Sequence, residues 1–433
     1  AICTFGYTTG YKKKVMFWLI ETDKQLDYLK NRGFDKAFVE IIPYSFKEHP
    51  CQNNICAVYI RPLDETKGFI MPITHSETLS VSIDNVLAIL NEINSIYVRD
   101  KKESLHYFIH KNIYDTTLHS PTYIHELPQV YQWFHTRMDS RKDINRIIPI
   151  VKHYEYCSNL FEKLKENIDG EFNTFFNTKA PMVFNFLERS GIRIDRKKFE
   201  EAFYLPDSDT VFTQYNFKTL TRRPSNKFKG VNYAALSKKN DDREAFIPRN
   251  DIFIELDIRA YHPSLLAKLI KYDFGCEDIH QSFSEMYQVD YNKAKEITFK
   301  QLYGGVFEEY KDLEFFKKVT DYVNILWDEF NKVGEIEVPI SKWKIKKDQV
   351  GEMNPQKLLN YLLQGLETAM NVRILWEVIK ILRGRKTKIV LYTYDSFLLD
   401  FSKDEKELYE LILDVFKKYK LNTKMSYGYN YKF

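Results

Sequence analysis

Hydrophobic and polar positions along the 433-residue chain fall into two regimes. In the first, short apolar runs alternate with polar punctuation. They predict strands at Val15–Ile20, Ala37–Ile42, Ile55–Ile60 and Gly68–Pro72, with a helix over Lys24–Arg32 between the first two. A helix over Ser82–Ile93 and a strand over Leu105–Ile109 follow, then helical periodicity over His125–Met138 and Val151–Ile168. Strands and helices mixed in this way imply an α/β domain. The polar stretch Asp169–Lys179, which contains Gly170, marks a boundary after residue 170.

The second regime opens with a helix over Pro181–Ser190, closed by Gly191 in the position of a C-cap. An irregular basic stretch leads to an alternating strand, Asp251–Ile258, and helices dominate from Ser264 to Leu382. Strands at Lys388–Tyr394 and Phe397–Phe401, a helix over Lys403–Lys420 and a terminal strand over Thr423–Phe433 complete the pattern. Two short strands, each carrying an aspartate, thus flank a long helical insertion. No internal repeat or low-complexity tract interrupts the chain.

Composition narrows the class. With 44% hydrophobic and 29% charged residues the chain can bury a large core, which excludes wholesale disorder. No apolar run is long enough to span a bilayer, and no basic-then-apolar opening is present, so a secretory signal is expected to be absent or already removed and the expected location is the cytoplasm. Five cysteines with no CxxC pair point to a reducing compartment and away from a disulfide frame or a cysteine-ligated zinc site. Sixty-four basic against 60 acidic residues give only +4, but Arg222, Arg223, Lys227, Lys229, Lys238 and Lys239 fall between Thr221 and Lys239 without an acid. Such a stripe suits a phosphate backbone; a solvated basic loop is the alternative.

Candidate chemistry lies on the two aspartate-bearing strands. The strand Phe253–Ile258 carries Asp257 near its end, and a helix starts near Pro263. Asp395 sits at the tip of the hairpin formed by Leu391–Asp400. Two carboxylates at neighbouring strand ends repel by about 4 kcal/mol at contact distance for an effective dielectric of 20. Such a pair calls for a divalent cation, and hard oxygen ligands select Mg²⁺ or Mn²⁺. With a triphosphate supplying further ligands the arrangement is a two-metal phosphoryl-transfer site. Either aspartate alone reads more readily as a turn or cap residue, and only the pairing favours the metal site. Between them, Lys295, Phe299 and Tyr303 recur every four residues on one helix face that ends at Gly304-Gly305. A cation, a ring and a phenol on one face can hold a triphosphate and stack a base; a core-facing stripe explains Phe299 but not Lys295.

Taken together and in order, these motifs resemble the family A (DNA polymerase I-like) polymerases over most of the chain. Lys295-x-x-x-Phe299-x-x-x-Tyr303-Gly304 resembles the family's fingers helix, Asp257 the first palm aspartate and Tyr394-Asp395-Ser396 the second palm motif. Asn360-Tyr-Leu-Leu-Gln364-Gly365 is similar to the Asn-x-x-x-Gln-Gly segment along the primer–template, and Asp278-Ile279-His280 to the Asp-Ile-His element that meets the incoming phosphates. Thr221-Arg222-Arg223-x-Ser225 resembles the Thr-Gly-Arg-x-Ser element, and Ala180-Pro-Met-Val through Glu188-Arg-x-Gly191-Ile-Arg-Ile-Asp195 the opening of the polymerase domain. Upstream, Ile55–His75 and Tyr114-Asp115 are similar to parts of the family's 3′–5′ exonuclease domain.

The resemblance implies an RNase H-like, exonuclease-type domain over 1–170 and a right-hand polymerase over 171–433. Within the latter it implies a palm at about 171–267 and 365–433, fingers at about 268–364 and a much reduced thumb at about 196–220. It implies template-directed DNA synthesis on primer–template DNA with deoxynucleoside triphosphates and two Mg²⁺ ions, Mn²⁺ being able to substitute. Asp257 and Asp395 would hold the metals, Lys295 and His280 the triphosphate, Phe299 the new base and Tyr303 the template position. His262 would test the sugar, its imidazole bulky enough to crowd a 2′-hydroxyl. Arg223, Asn360 and Gln364 would feel the minor groove, while Arg222, Lys227 and Lys229 grip phosphates.

Departures from the family pattern sharpen the expectations. His262 replaces the glutamate of the family's DNA polymerases, and Ser396 stands where glutamate is frequent, which keeps a ribonucleotide-using polymerase as the rival. A non-catalytic nucleic-acid-binding subunit is the rival from another class. Tyr291 replaces an arginine one turn before Lys295, with Lys293 as the substitute cation. Twenty-eight positions separate Asp195 from Arg223, too few for a full thumb, so a processivity or replisome protein is expected to take over clamping. The exonuclease motif's first acids align with Glu40 and Ile42, leaving Glu40 and Asp115 as remnants of an inactive site. Lysine-, isoleucine- and asparagine-rich composition, as AT-rich coding DNA produces, fits a phage or mobile-element replicase acting in the host cytoplasm.

Overall fold

Short β-branched and aromatic runs build the first sheet, and a computed structural model describes residues 4–7, 15–118, 129–137, 141–168, 170 and 174–433. The chain divides into two units, 1–173 and 174–433, three residues beyond the composition break. The first unit contains β1 (Thr4–Tyr7), β2 (Val15–Leu19), α1 (Asp23–Arg32), β3 (Lys36–Pro43), β4 (Ile55–Pro62) and β5 (Phe69–Pro72). Then come α2 (Ile83–Glu92), β6 (Ser95–Val98), α3 (Lys101–Ser104), β7 (Ile113–Asp115), α4 (Gln129–Arg137) and α5 (Ile150–Leu164). The strands form one mixed sheet in the order β1-β2-β5-β4-β3-β6-β7.

Local chemistry explains the elements. A capping box starts α1: the Thr22 side chain accepts from the Gln25 N–H while the Gln25 side chain accepts from the Thr22 N–H. Strands β3 and β4 are buried along nearly their whole length, which is why they are continuous apolar runs rather than alternating ones. Helix α5 packs Tyr154 and Phe161 against Phe17, Phe38 and Tyr59 of the sheet. Gly68 allows this packing, since a Cβ there would lie 2.4 Å from the Tyr59 ring.

Three expectations are corrected. Leu105–Ile109 is a turn after α3, not a strand; Leu105 and Phe108 turn inward while Ile109 stays exposed, and a hydrogen bond between His110 and the Ile93 carbonyl closes the loop. The sheet positions belong instead to β6 and β7. Pro181 does not open its helix, which begins at Phe175 with Thr174 as N-cap and carries the proline in its interior. The last strand stops at Gly428. Of the helix expected over 125–138, Gln129–Arg137 is helical, and 125–128 and 138 lie outside the described residues.

The second unit runs α6 (Phe175–Ser190), β8 (Ile192–Arg193), α7 (Arg196–Ala202), β9 (Thr210–Val211), β10 (Tyr215–Asn216), β11 (Ser225–Phe228), β12 (Val231–Asn232) and β13 (Ile252–Ile258). Helices α8 (Tyr261–Leu269), α9 (Ile279–Tyr287), α10 (Tyr291–Gly304) and α11 (Glu314–Val333) follow. The remainder is β14 (Glu335–Glu337), β15 (Lys344–Lys346), α12 (Pro355–Ile381), β16 (Lys388–Thr393), β17 (Ser396–Phe401), α13 (Glu407–Lys418) and β18 (Thr423–Gly428). Its main sheet is antiparallel in the order β16-β17-β13-β18. Helix α12, buried for most of its 27 residues, is the hub against which α6, α8, α10, α11 and α13 pack. No helix among the described residues is long and apolar enough to cross a membrane.

Candidate active site

Antiparallel pairing of β13 with β17 sets Asp257 opposite Ser396, so Asp257 and the turn residue Asp395 emerge at the same end of the sheet. The Ile258 N–H donates to the Asp395 carbonyl at 2.8 Å and locks the two strand ends together. Both ends are bent by residues in the left-handed region, Tyr394 (φ 56°) in the hairpin and Ala260 (φ 47°) before α8. Such backbone costs a non-glycine residue about 1 kcal/mol or more, and here hydrogen bonds hold it. Asn371 of α12 donates to the Tyr394 carbonyl and to the Tyr392 hydroxyl, both at 2.7 Å, and accepts from the Tyr261 hydroxyl at 2.7 Å.

The aspartates open into a cavity of about 460 Å³ lined also by Arg223, His262, His280, Lys295, Glu367 and Lys424. Neither aspartate has an ion-pair partner among the described residues. Burial pushes the Asp395 carboxyl up to about 6, with the neighbouring Asp257 and Glu367 adding to the effect. Burial also raises Asp257, against the pull of Lys238, Lys295 and Lys424. Two inward-facing carboxylates that each resist ionising, with oxygen donors only, fit a divalent cation.

Helix α10 presents Lys295, Phe299 and Tyr303 to this cavity together, as their spacing requires. The Phe299 and Tyr303 rings stack with centroids 6.1 Å apart. His280, in the first turn of α9, is buried with its Nδ1 unpartnered. Burial and then Lys295 hold its pKa below the usual histidine range, so its ring is neutral at pH 7.

His262 is less free than a lone gate residue. Its Nε2 lies 2.7 Å from a Glu367 oxygen and its Nδ1 2.8 Å from the Tyr303 hydroxyl. The other Glu367 oxygen accepts from Arg223 Nε at 3.1 Å, and the Arg223 guanidinium lies 3.9 Å from the centroid of the Tyr394 ring. A line of contacts therefore joins α10, α8, α12, the 220s loop and the hairpin that carries Asp395. Sequence reasoning missed Glu367, although it stands seven residues after Asn360 and three after Gln364, on the same face of α12.

The segment expected to meet a minor groove adjoins this cavity. Gln364 accepts from the Thr221 hydroxyl at 3.1 Å and donates to Asn360 at 3.2 Å. Gly365 lets the 220s loop lie this close, since a Cβ would meet Val338 at 3.1 Å and the Thr221 carbonyl at 3.3 Å. A depression of about 300 Å³ between Thr221, Ser225, Tyr361, Gln364 and Tyr394 shares Arg223 with the main cavity.

Several predicted contacts are relocated. Arg222 is 1% exposed, with its guanidinium 3.8 Å from the Trp343 ring centroid, so it cannot grip phosphates as expected. Lys293 does not line the cavity; it pairs with Glu296 at 3.3 Å on the exposed side of α10. A cation missed in the sequence does line it: Lys424 on β18 is in register with Asp257. Lys295 and Lys424 make no hydrogen bond or ion pair among the described residues. Lys227 and Lys229 are exposed, Lys229 being 3.4 Å from Asp207. Ser396 donates to buried Glu255 at 2.8 Å, which also accepts from Lys238 at 2.8 Å.

In the first unit, Glu40 is ion-paired with buried Arg99 at 3.0 Å. Asp115 accepts from the backbone N–H groups of Lys101 and Thr117 and from the Thr117 hydroxyl, at 2.7 to 2.9 Å.

The raised Asp395 carboxyl predicts a stability cost. The folded state keeps a proton that the unfolded chain loses near pH 4, so stability falls as the pH rises toward about 6 and the charged group is a burden above it. Asp395→Asn, unfolded by denaturant in chelator-containing buffer, should be more stable than the parent by on the order of 1–3 kcal/mol at pH 7.5. The gain should shrink toward pH 4; an unchanged or lower midpoint at pH 7.5 contradicts the assignment.

No family model and no curated protein matches this sequence. Among solved structures, the Pol domain of Pol1 from M. smegmatis in complex with DNA primer-template and dNTP matches with a TM-score of 0.68 and 13% identity, covering 96% of this chain and 99% of that one. The likeness is one of fold: the chain has the mixed α/β architecture of a DNA polymerase domain.

Proposed function

We propose that the chain is a template-directed DNA polymerase that adds deoxynucleotides to a primer 3′ end. The observation that carries this reading is the cavity, where two aspartates and two lysines, none of them with an ion-pair partner among the described residues, stand together, the charge pattern a metal-bound triphosphate completes. The polymerase domain it resembles in fold was solved with DNA primer-template and dNTP, which supports the same substrates here. The main sheet with α6 and α12 is read as a palm (about 171–267 and 365–433) and the helices between as fingers (about 268–364). The stretch 196–220, a seven-residue helix and two two-residue strands, is read as a reduced thumb.

Asp257 and Asp395 would hold two Mg²⁺ ions, or Mn²⁺, which when bound acidify the primer hydroxyl and neutralise phosphate charge. Among the described residues no cluster of three or more His, Cys, Asp or Glu side chains is arranged for a metal, so substrate oxygens are expected to complete the ligand sets. Lys295 from α10 and Lys424 from β18 would receive the triphosphate, Lys424 in the role expected of Lys293. Neutral His280 would offer a phosphate its unpartnered nitrogen as a donor. Phe299 would stack on the incoming base and Tyr303 border the template position. The His262 ring, fixed by Glu367 and Tyr303, would fill the space a 2′-hydroxyl needs, which favours deoxynucleotides over the ribonucleotide alternative. Arg223 and Gln364 would follow the terminal base pair through the degenerate minor groove. The first unit is read as an exonuclease-type scaffold without its chemistry, because Arg99 occupies Glu40 and backbone donors occupy Asp115. A phage or mobile-element role rests on composition.

One gel assay on a mismatched primer–template and on a matched one tests the reading. With Mg²⁺ and deoxynucleotides the matched primer should lengthen, the product should stay short in the presence of a DNA trap, and Asp395→Asn should abolish extension. Without nucleotides the mismatched primer should keep its length. Extension with ribonucleotides contradicts the sugar assignment, Mg²⁺-dependent shortening lost in Asp115→Ala contradicts the inactive scaffold, and runs of thousands of nucleotides contradict the need for a clamping partner. Lys424→Ala should raise KM for deoxynucleotides about tenfold or more, as loss of a charge-assisted phosphate contact does, while Lys293→Ala leaves it unchanged. The reverse ranking in steady-state kinetics rules out the exchange of roles.

A further inference from the structure

A second cavity, of about 440 Å³, adjoins the reaction cavity, and Arg259 and Ala260 line both. Its floor is formed by small residues: Ala260, the N-cap of α8, and Ser264 and Ala267 on that helix. Lys268 and Lys271 from the end of that helix, Lys420 from the turn after α13, and Arg259 surround the floor. Tyr272 and Phe274 form a wall, their rings edge to face at 5.0 Å. Asp273 and Glu277 also line it, leaving a positive excess.

The cations converge from three separate segments. Lys271 (φ 52°) and Lys420 (φ 51°) hold left-handed backbone, which is unfavourable for a residue with a Cβ. The Lys268 ammonium donates to the Tyr419 carbonyl at 2.6 Å, and burial together with Lys420 lowers its pKa. Four cations against two acids around a pocket with a small-residue floor give it a positive excess that an anion with several oxygens would neutralise. The proposed phosphoryl transfer uses none of these lysines. Attack on the α-phosphate breaks the bond to its bridging oxygen, and the electron pair leaves with pyrophosphate. That polyanion must depart past residues bordering the reaction cavity, and Arg259, which ion-pairs with Asp278 at 3.5 Å, stands at the border with the second one.

We infer that this second cavity is a polyphosphate site that holds pyrophosphate as it leaves the reaction cavity. The origin of the ligand rests on the polymerase reading; the binding chemistry does not. The triphosphate tail of a nucleotide shares that chemistry, and the test separates the two.

Cys276 lines the cavity and is exposed, so its alkylation rate reports occupancy without catalysis. The probe is inorganic pyrophosphate added to the full chain in chelator-containing buffer, with the Cys276 and Cys51 peptides quantified by mass spectrometry. Pyrophosphate should slow Cys276 alkylation severalfold and leave exposed Cys51 unaffected, and an equal concentration of deoxynucleoside triphosphate should protect less. In a Lys271→Glu, Lys420→Glu double variant the protection should vanish with the Cys51 rate unchanged. A Lys420→Ala variant should lose part of it. Absence of protection in the parent overturns the site, and stronger protection by nucleotide or by duplex DNA overturns the exit assignment. In pyrophosphorolysis the double variant should raise KM for pyrophosphate with KM for deoxynucleotide unchanged. If the parent neither extends nor degrades primers yet Cys276 is protected, the polymerase reading fails and the polyphosphate site stands.

Discussion

Everything chemical in the second unit depends on the pairing of β13 with β17. That pairing sets two carboxylates side by side at one end of an antiparallel sheet, and their mutual repulsion is the constraint the surroundings must absorb. Residues buried on both faces of the two strands, such as Phe253, Leu256, Leu398 and Leu399, hold the register. A slip of one residue would turn each inward side chain outward and separate the acids. The Tyr394 turn, held by Asn371, and the Ala260 bend secure the same point from both sides. A charge pattern that is costly in isolation is therefore mechanically stable and available to a cation.

Glu367 is the second organising group. It is buried on α12, yet each of its oxygens has a partner, Arg223 on one and His262 on the other, so burial leaves it satisfied. Through those partners it connects the 220s loop, α8 and α10, three of the elements that line the cavity. His262 is thereby held in one orientation, and the proposed exclusion of a 2′-hydroxyl would rest on this fixation as much as on ring size.

Much of this was legible in the sequence, for physical reasons. The strands carrying Asp257 and Asp395 alternate or are flanked by turn residues, and the Lys295, Phe299, Tyr303 face follows from helical period alone. Lys293 failed for a reason also present in the sequence: residues two apart on a helix point to different sides, so it could not share the Lys295 face. Lys424, which lines the cavity where Lys293 does not, comes from a strand more distant along the chain, and only the β13–β18 register joins it to Asp257. Adjacent Arg222 and Arg223 diverge because Arg222 takes a left-handed conformation (φ 62°) that turns it under Trp343, a tertiary outcome that composition does not encode. The Leu105–Ile109 run misled because a buried turn and an edge strand share an apolar pattern. Glu367 was readable from its spacing to Asn360 and Gln364.

The central claim is that the two aspartates are one cation site facing a triphosphate. Anomalous diffraction from the chain crystallised with primer–template, Mn²⁺ and a non-hydrolysable deoxynucleotide tests it most directly. Manganese is expected within bonding distance of carboxylate oxygens of both Asp257 and Asp395, with the triphosphate between Lys295 and Lys424. Manganese bound by neither aspartate, or a triphosphate seated away from both lysines, would contradict it.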